Sequence, residues 1–174
     1  HGAAAVLLGE GQLKAEIIAV SSIHDDLVDQ YRSRGNRFDY ALEERWVREE
    51  GWLKTVPQAI NDVISAAQIS TENISKVIVH GSSGASRSIA KKLAISPKKL
   101  ANNLYSSVGD SGTAHPLLML AEAIKHSNQG DLILMIGFGQ GADVVLLKRT
   151  KEKLTNDWDF ESNRRVVKNY TQYL

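Results

Sequence analysis

Leu132-Ile133-Leu134-Met135-Ile136-Gly137-Phe138-Gly139-Gln140-Gly141-Ala142-Asp143-Val144-Val145-Leu146-Leu147 is the stretch on which the fold turns. Its flanks, Leu132 to Ile136 and Val144 to Leu147, are continuous apolar runs, the pattern of strands covered on both faces. Three glycines separate them. A dinucleotide-binding loop has a strand before its glycines and a helix after them. Here a second strand follows, so that reading is rejected. Glycines in a strand-to-strand turn signal either an ordinary β-turn or close backbone approach to another loop or to a substrate.

Working outward, Gly112 to His126 places Leu117, Leu120, Ala121 and Ile124 at helical core spacing, and Gly130-Asp131 is a turn. Leu104 to Val108 reads as a short strand. Ser96-Pro97 opens a helical turn through Leu100, and Ala85 to Leu93 reads as a helix. Val77 to Val79 is a buried strand. Trp52 to Gln68 is the strongest helix, with Leu53, Val56, Ile60, Val63, Ile64 and Ala67 recurring at three- and four-residue steps and Pro57 near its start. Ala41 to Glu50 suggests a short helix, and the polar run Asp25 to Tyr40 a loop. At the N-terminus, Ala3 to Gly9 and Lys14 to Ser21 are apolar runs split by Gly9-Glu10-Gly11, the pattern of a hairpin over Ala3 to Val20. This alternation of strands and helices predicts an α/β fold, layered α/β/α around a mixed five-stranded sheet, plus the N-terminal hairpin.

Composition narrows function by exclusion. The 174 residues carry a formal net charge of +1, so no general nucleic-acid or membrane field is indicated. The end of the chain is more basic: Lys148, Arg149, Lys151, Lys153, Arg164, Arg165 and Lys168 outnumber Glu152, Asp157, Asp159 and Glu161, which reads as a solvated basic surface. There is no cysteine, so the chain holds neither disulfide nor thiolate metal site. No apolar run reaches membrane-spanning length and no signal peptide is recognisable, which leads to a cytoplasmic expectation. With no initiator Met and an opening already strand-like, His1-Gly2-Ala3-Ala4-Ala5-Val6 reads as the start of a fragment or processed chain.

Three segments carry candidate chemistry. His80 ends the strand Val77–Val79, at the sheet edge where ligands of α/β folds gather. Imidazole titrates near neutrality, so His80 reads either as a proton shuttle or as a hydrogen-bonded loop histidine. Gly81-Ser82-Ser83-Gly84 opens a helix whose free N–H groups suit an anion, or is simply a small-residue turn with a Ser cap. It is neither a P-loop nor a nucleophile elbow. Asp110, in Val108-Gly109-Asp110-Ser111-Gly112, reads as an N-cap or as a carboxylate acting on His80 or on a proton. His115, just inside a helix before Pro116, ranks below His80; His24 and His126 read as surface residues. Trp46, Trp52 and Trp158 read as packing residues, with stacking on an adenine as the other reading.

Taken in order, these segments resemble the C-terminal half of the thiolase superfamily, most nearly hydroxymethylglutaryl-CoA synthase-like and ketoacyl synthase III-type proteins. The likeness runs from Gly2 to about Leu147. Gly2-Ala3-Ala4-Ala5-Val6 resembles the strand late in the first half of those enzymes. Arg32, Arg34, Phe38, Glu43, Glu44, Arg45 and Trp46 fall in a region similar to the synthase-like insertion, and Asn169 to Leu174 resembles a tail that normally continues. The resemblance implies hairpin residues 1–24 from the preceding half, an insertion at 25–50, a thiolase-like domain at 51–150 and a basic tail at 151–174.

It further implies an acyltransferase acting on acyl-CoA thioesters by Claisen-type condensation or its reverse. Its nucleophilic Cys would lie in the missing half, so the chain alone would be inactive. Coenzyme A enters as substrate, with no cofactor and no metal. By resemblance His80 is the acid/base and Asp110 takes the second catalytic position, where an Asn or second His is usual. Gly81, Ser82, Ser111, Gly139 and Gly141 would line the substrate. An ionised Asp cannot donate to an oxyanion, so this departure also admits a non-catalytic thiolase-like subunit. The implied partners are the missing N-terminal half or a companion thiolase-fold chain, a homo- or hetero-dimer mate, and a small OB-fold, zinc-binding protein; no nucleic acid or membrane is implied.

Overall fold

The structure, a computed structural model, describes residues 2–28, 30–81 and 83–150, with positions 167, 169 and 171. The rest of the basic tail, and Ser82, lie outside the described residues. The strands are β1 (Ala15–His24), β2 (Gln30–Tyr31), β3 (Tyr40–Ala41), β4 (Ile74–Val79), β5 (Leu132–Gly139) and β6 (Gly141–Arg149). The α-helices are α1 (Glu44–Trp46), α2 (Val56–Ala67), α3 (Ser83–Lys92), α4 (Tyr105–Val108) and α5 (His115–Lys125).

One mixed sheet, ordered β1-β6-β5-β4, contains the apolar runs Val77–Val79, Leu132–Ile136 and Val144–Leu147. β4 runs parallel to β5, with Val79 beside Ile136. β5 and β6 form a tight antiparallel hairpin in which Gly139 faces Gly141. β1 runs antiparallel to β6. The two-residue period of the strands sorts the core into two layers. Val77, Val79, Leu134, Ile136, Val144 and Leu146 meet Val56, Ile60 and Val63 of α2 and Ile89 of α3. On the other face, Ile78, Ile133 and Leu147 meet Met119, Leu120 and Ala123 of α5. Each fully buried aliphatic side chain contributes about 1.5–3 kcal/mol relative to exposure, so the alternation holds the helices on opposite faces.

Several expectations are corrected. The hairpin over Ala3 to Val20 does not form: only β1 is a strand, and it pairs with β6. The chain turns at Gly11, where the Leu13 N–H donates to the Gly11 carbonyl. Residues Ala4 to Leu8 then line a groove with α5 instead of running beside β1. Leu7 is left 98% exposed there, as no ladder or core holds it. Among the described residues the sheet has four strands, not five. The fifth position is a single bridge, Leu100 beside Val77, with the Ala101 N–H donating to the Val77 carbonyl at 2.8 Å.

Leu104 to Val108 is a helical turn, not a strand. The Asn102 and Asn103 side chains accept from the Leu104 and Tyr105 N–H groups at 3.1 and 3.2 Å. Such local bonds compete with an extended ladder. The expected loop over Asp25 to Tyr40 contains β2, which pairs with β3 and sets Tyr31 against Tyr40. The helix expected from Trp52 begins earlier. Glu43 caps α1 by accepting from the Arg45 and Trp46 N–H groups. A π-helical stretch, Val47–Thr55, then leads into α2. Gly51 lies in that stretch because a Cβ there would collide with Phe138 and Leu27. Among the described residues, no helix is long and apolar enough to cross a membrane.

Candidate active site

β4 ends at Val79 and delivers His80 to the rim where β5 reaches its glycines; the parallel register puts His80 level with Gly137. Gly81 turns the chain there with φ +136, and a Cβ on it would lie 3.3 Å from the Trp52 ring. Trp52 in turn stacks on Phe138 with ring centroids 4.4 Å apart.

A second segment reaches the same rim from α4, and the turn before α5 carries Asp110. His80 Nε2 lies 3.3 Å from Asp110 Oδ1, and that oxygen accepts from the Gly112 N–H at 2.8 Å. The Gly112 bond is the main reason the Asp110 carboxyl sits below the ordinary carboxylate range; partial burial opposes it, and the His80 bond and charge reinforce it. Asp110 is therefore an anion at neutral pH. It accepts hydrogen bonds here and donates none.

Behind this pair sits His115, fully buried at the start of α5. Its Nδ1 accepts from the Ser111 N–H at 3.2 Å, and its Nε2 lies 2.6 Å from the Asn103 carbonyl oxygen. An N–H facing Nδ1 and a carbonyl facing Nε2 assign the proton to Nε2. The His115 ring lies 4.9 Å from His80 and 4.8 Å from Tyr105. The Tyr105 hydroxyl is pushed up in pKa by burial and by the charge of Asp110, against a bond from the Gly81 backbone. It stays a neutral phenol at the edge of the cluster.

The structure thus brings His80 and Asp110 together. The other sequence candidates fare differently. Ser111 packs against Gly2, where a Cβ would come 2.7 Å from the serine Cβ. Gly141, at φ +118, has no room for a side chain because the backbone of Ile23 and Asp25 fills that space; its neighbour is another strand end. Gly139 borders open space. An apolar groove of about 1150 Å³ lies elsewhere, between Ala4–Leu8, α5 and the strand residues Ile17, Met135, Val145 and Leu147.

Donor atoms of His80, Asp110 and His115 lie within 4.8 Å of one another, close enough in principle for a metal ion. Both His115 nitrogens already hold backbone partners, so binding a metal would break that clasp. The sequence places His115 below His80 and assigns Tyr105 no role, whereas the structure sets both rings beside His80. The available signal for His115 was its place four residues after Ser111, one helical turn into the segment that Asp110 opens.

Comparison with known proteins agrees with this architecture. Residues 64–147 match the family model described as 3-oxoacyl-[acyl-carrier-protein (ACP)] synthase III C terminal. Hydroxymethylglutaryl-CoA synthase of Methanopyrus kandleri is 24% identical over 81% of this chain and 41% of its own length. The enzyme of the same name from Picrophilus torridus is 27% identical over 81% of this chain and 40% of its length. The solved 3-oxoacyl-[acyl-carrier-protein] synthase III of Aquifex aeolicus VF5 superposes with a TM-score of 0.68 at 23% identity, covering 80% of this chain and 46% of that one. The chain thus spans less than half the length of these relatives. It carries a thiolase-like C-terminal domain, distantly related to hydroxymethylglutaryl-CoA synthases and to ketoacyl synthase III enzymes.

Proposed function

We propose that this chain is the C-terminal part of an acyl-CoA-dependent acyltransferase that forms or cleaves carbon–carbon bonds by Claisen-type chemistry. The observation that carries this reading is the His80–Asp110 pair at 3.3 Å on the rim of a thiolase-like sheet. A cysteine from outside these 174 residues, on a companion thiolase-fold half, supplies the thiol. His80 takes the thiol proton, and the thiolate attacks the acyl-CoA carbonyl. The tetrahedral intermediate collapses to an acyl-cysteine, and the departing coenzyme A sulfur regains the proton from His80. A second thioester then gives its α-proton to the now neutral His80, and the resulting enolate attacks the acyl-cysteine; the carbon–carbon bond forms as the cysteine sulfur leaves and takes the proton back from His80. Asp110 holds the imidazole and balances the imidazolium, while backbone N–H groups serve the oxyanion. Coenzyme A takes part only as substrate. The apolar groove beside α5 suits a companion half, and the relatives' greater length supports its existence.

A second reading, a non-catalytic thiolase-like subunit, is favoured by Asp110 itself, because an anion stands where the resemblance expects a hydrogen-bond donor. The test is to co-purify the chain with its companion half and supply radiolabelled acetyl-CoA with acetoacetyl-CoA. The enzyme reading expects label on a cysteine, release of free coenzyme A, and a loss of roughly a hundred- to ten-thousandfold for His80→Ala. An intact assembly that neither acylates nor turns over supports the subunit reading. Turnover unchanged by His80→Ala overturns the role given to His80.

A further inference from the structure

We propose that His115 is a positioning residue: its ring clasps the Asp110 turn to the Asn103 loop and thereby sets the approach of Asp110 to His80. The role in turnover rests on the function proposed above; the clasp itself does not.

His115 spends both ring nitrogens on the backbone of two different segments. Nδ1 holds the Ser111 N–H, the peptide that follows Asp110, at 3.2 Å. Nε2 holds the Asn103 carbonyl, one residue before Leu104 turns the chain into α4, at 2.6 Å. Leu104 sits there with φ 59, a conformation that branched apolar residues rarely adopt. One buried ring thus ties together the entry to α4 and the turn after it. A purely packing role needs volume alone, which Met or Phe would supply without polar atoms. A fully buried imidazole instead requires partners, and both of its nitrogens have them.

The consequence reaches Asp110 through the chain. With Ser111 N–H fixed, the next peptide presents the Gly112 N–H to Asp110 Oδ1 at 2.8 Å, and the same oxygen faces His80 Nε2. The titratable groups around that carboxylate are His80 from the end of β4, His115 from α5 and Tyr105 from α4. Releasing Ser111 loosens the Gly112 bond, which is the main influence holding the Asp110 carboxyl down.

The test reads Asp110 directly. The chain is labelled with ¹³C at aspartate carboxyls and titrated by NMR as wild type, His115→Phe, His115→Asn and His115→Gln, with folding checked by circular dichroism. Asn returns an acceptor near Nδ1, whereas Gln reaches toward Asn103 and leaves Ser111 unpaired. We expect the Asp110 midpoint to rise toward that of an ordinary aspartate in Phe and Gln, and to stay low in Asn. Should Phe fail to fold, the Asn–Gln contrast decides alone. Equal midpoints in folded wild-type and Phe proteins, or in Asn and Gln, overturn the proposal. In the active assembly, His115→Phe should lower kcat roughly ten- to a hundredfold with KM held within about twofold, and Asn should recover most of it. A Phe variant with unchanged kcat also overturns it. If wild type shows no turnover, the function proposed above fails while the titration still tests the clasp.

Discussion

Gly141→Ala separates a glycine needed by the fold from one needed by a ligand. At φ +118 an L-residue is strained, costing about 1–3 kcal/mol by itself. The new Cβ would also collide with the Ile23 carbonyl oxygen and lie 2.9 Å from the Ile23 carbonyl carbon and 3.0 Å from the Asp25 nitrogen. These are backbone atoms, so relief requires the end of β1 to move away from the β5–β6 tip. That movement loosens the pairing of His24 with Gly141 and the Asp25 N–H bond to the Gln140 carbonyl at 3.3 Å. At about 1 kcal/mol per lost bond, the sum is about 2–5 kcal/mol. For a domain of this size, that is a fall of about 5–15 °C in melting temperature. Gly139→Ala is the control: nothing lies within 4 Å of its Cβ, and its φ is not positive. It should melt within about 2 °C of wild type, as surface substitutions usually do. Thermal melts by circular dichroism decide the matter. If the two variants melt together, the close-approach argument is wrong.

Two further outcomes follow from the rim. Asp110→Asn keeps an acceptor for the Gly112 N–H but removes the charge. The folded carboxyl is held below its ordinary 3.8, so its stabilisation is present above that value and is lost as pH falls through the folded value. Because the side chain is 63% exposed, the effect is at most about 1 kcal/mol. Urea melts from pH 6 downward should therefore show the wild-type advantage shrinking below pH about 4, with a constant difference counting against the assignment. In the active assembly the same variant should lose about tenfold in kcat, and a gain would mark Asp110 as a relic in a degenerate site. Trp52→Ala removes the stacking on Phe138 and the wall beside Gly81, and should cost about 2–4 kcal/mol in denaturant melts; a loss below about 1 kcal/mol would show that the ring is not a support.

The layers were legible because their signal is periodic. The continuous apolar runs around the glycine loop could be satisfied only by burial on both faces, and the helix with Val56, Ile60 and Val63 had one core-facing stripe. The errors fall where pairing partners, not local pattern, decide the outcome. Ala3 to Gly9 has the composition of a strand but no strand partner among the described residues, and Leu104 to Val108 was overruled by two Asn side chains bonding locally. The same reasoning explains the site. His80 was visible because it ends a buried strand before a glycine, and Asp110 because it stands between Gly109 and Ser111 just before a helix. His115 was not, since a histidine inside a helix reads as packing until its two backbone partners, from segments 4 and 12 residues away, are seen.

The charge on Asp110 also orders the proposed reaction. Two like unit charges about 4 Å apart repel by about 1 kcal/mol in water and about 4 kcal/mol near a protein surface. An oxyanion or enolate growing beside Asp110 would meet that penalty if His80 were neutral. It meets an ion pair instead if His80 carries the proton taken from the cysteine in the first step, or from the α-carbon in the second. Proton transfer to His80 therefore precedes or accompanies the growth of negative charge. In this arrangement an Asp replaces the donor of the resembling enzymes by making His80, while protonated, the stronger one. The cost is that the site works only while the imidazolium and Asp110 stay in register, which is the distance that His115 is placed to hold.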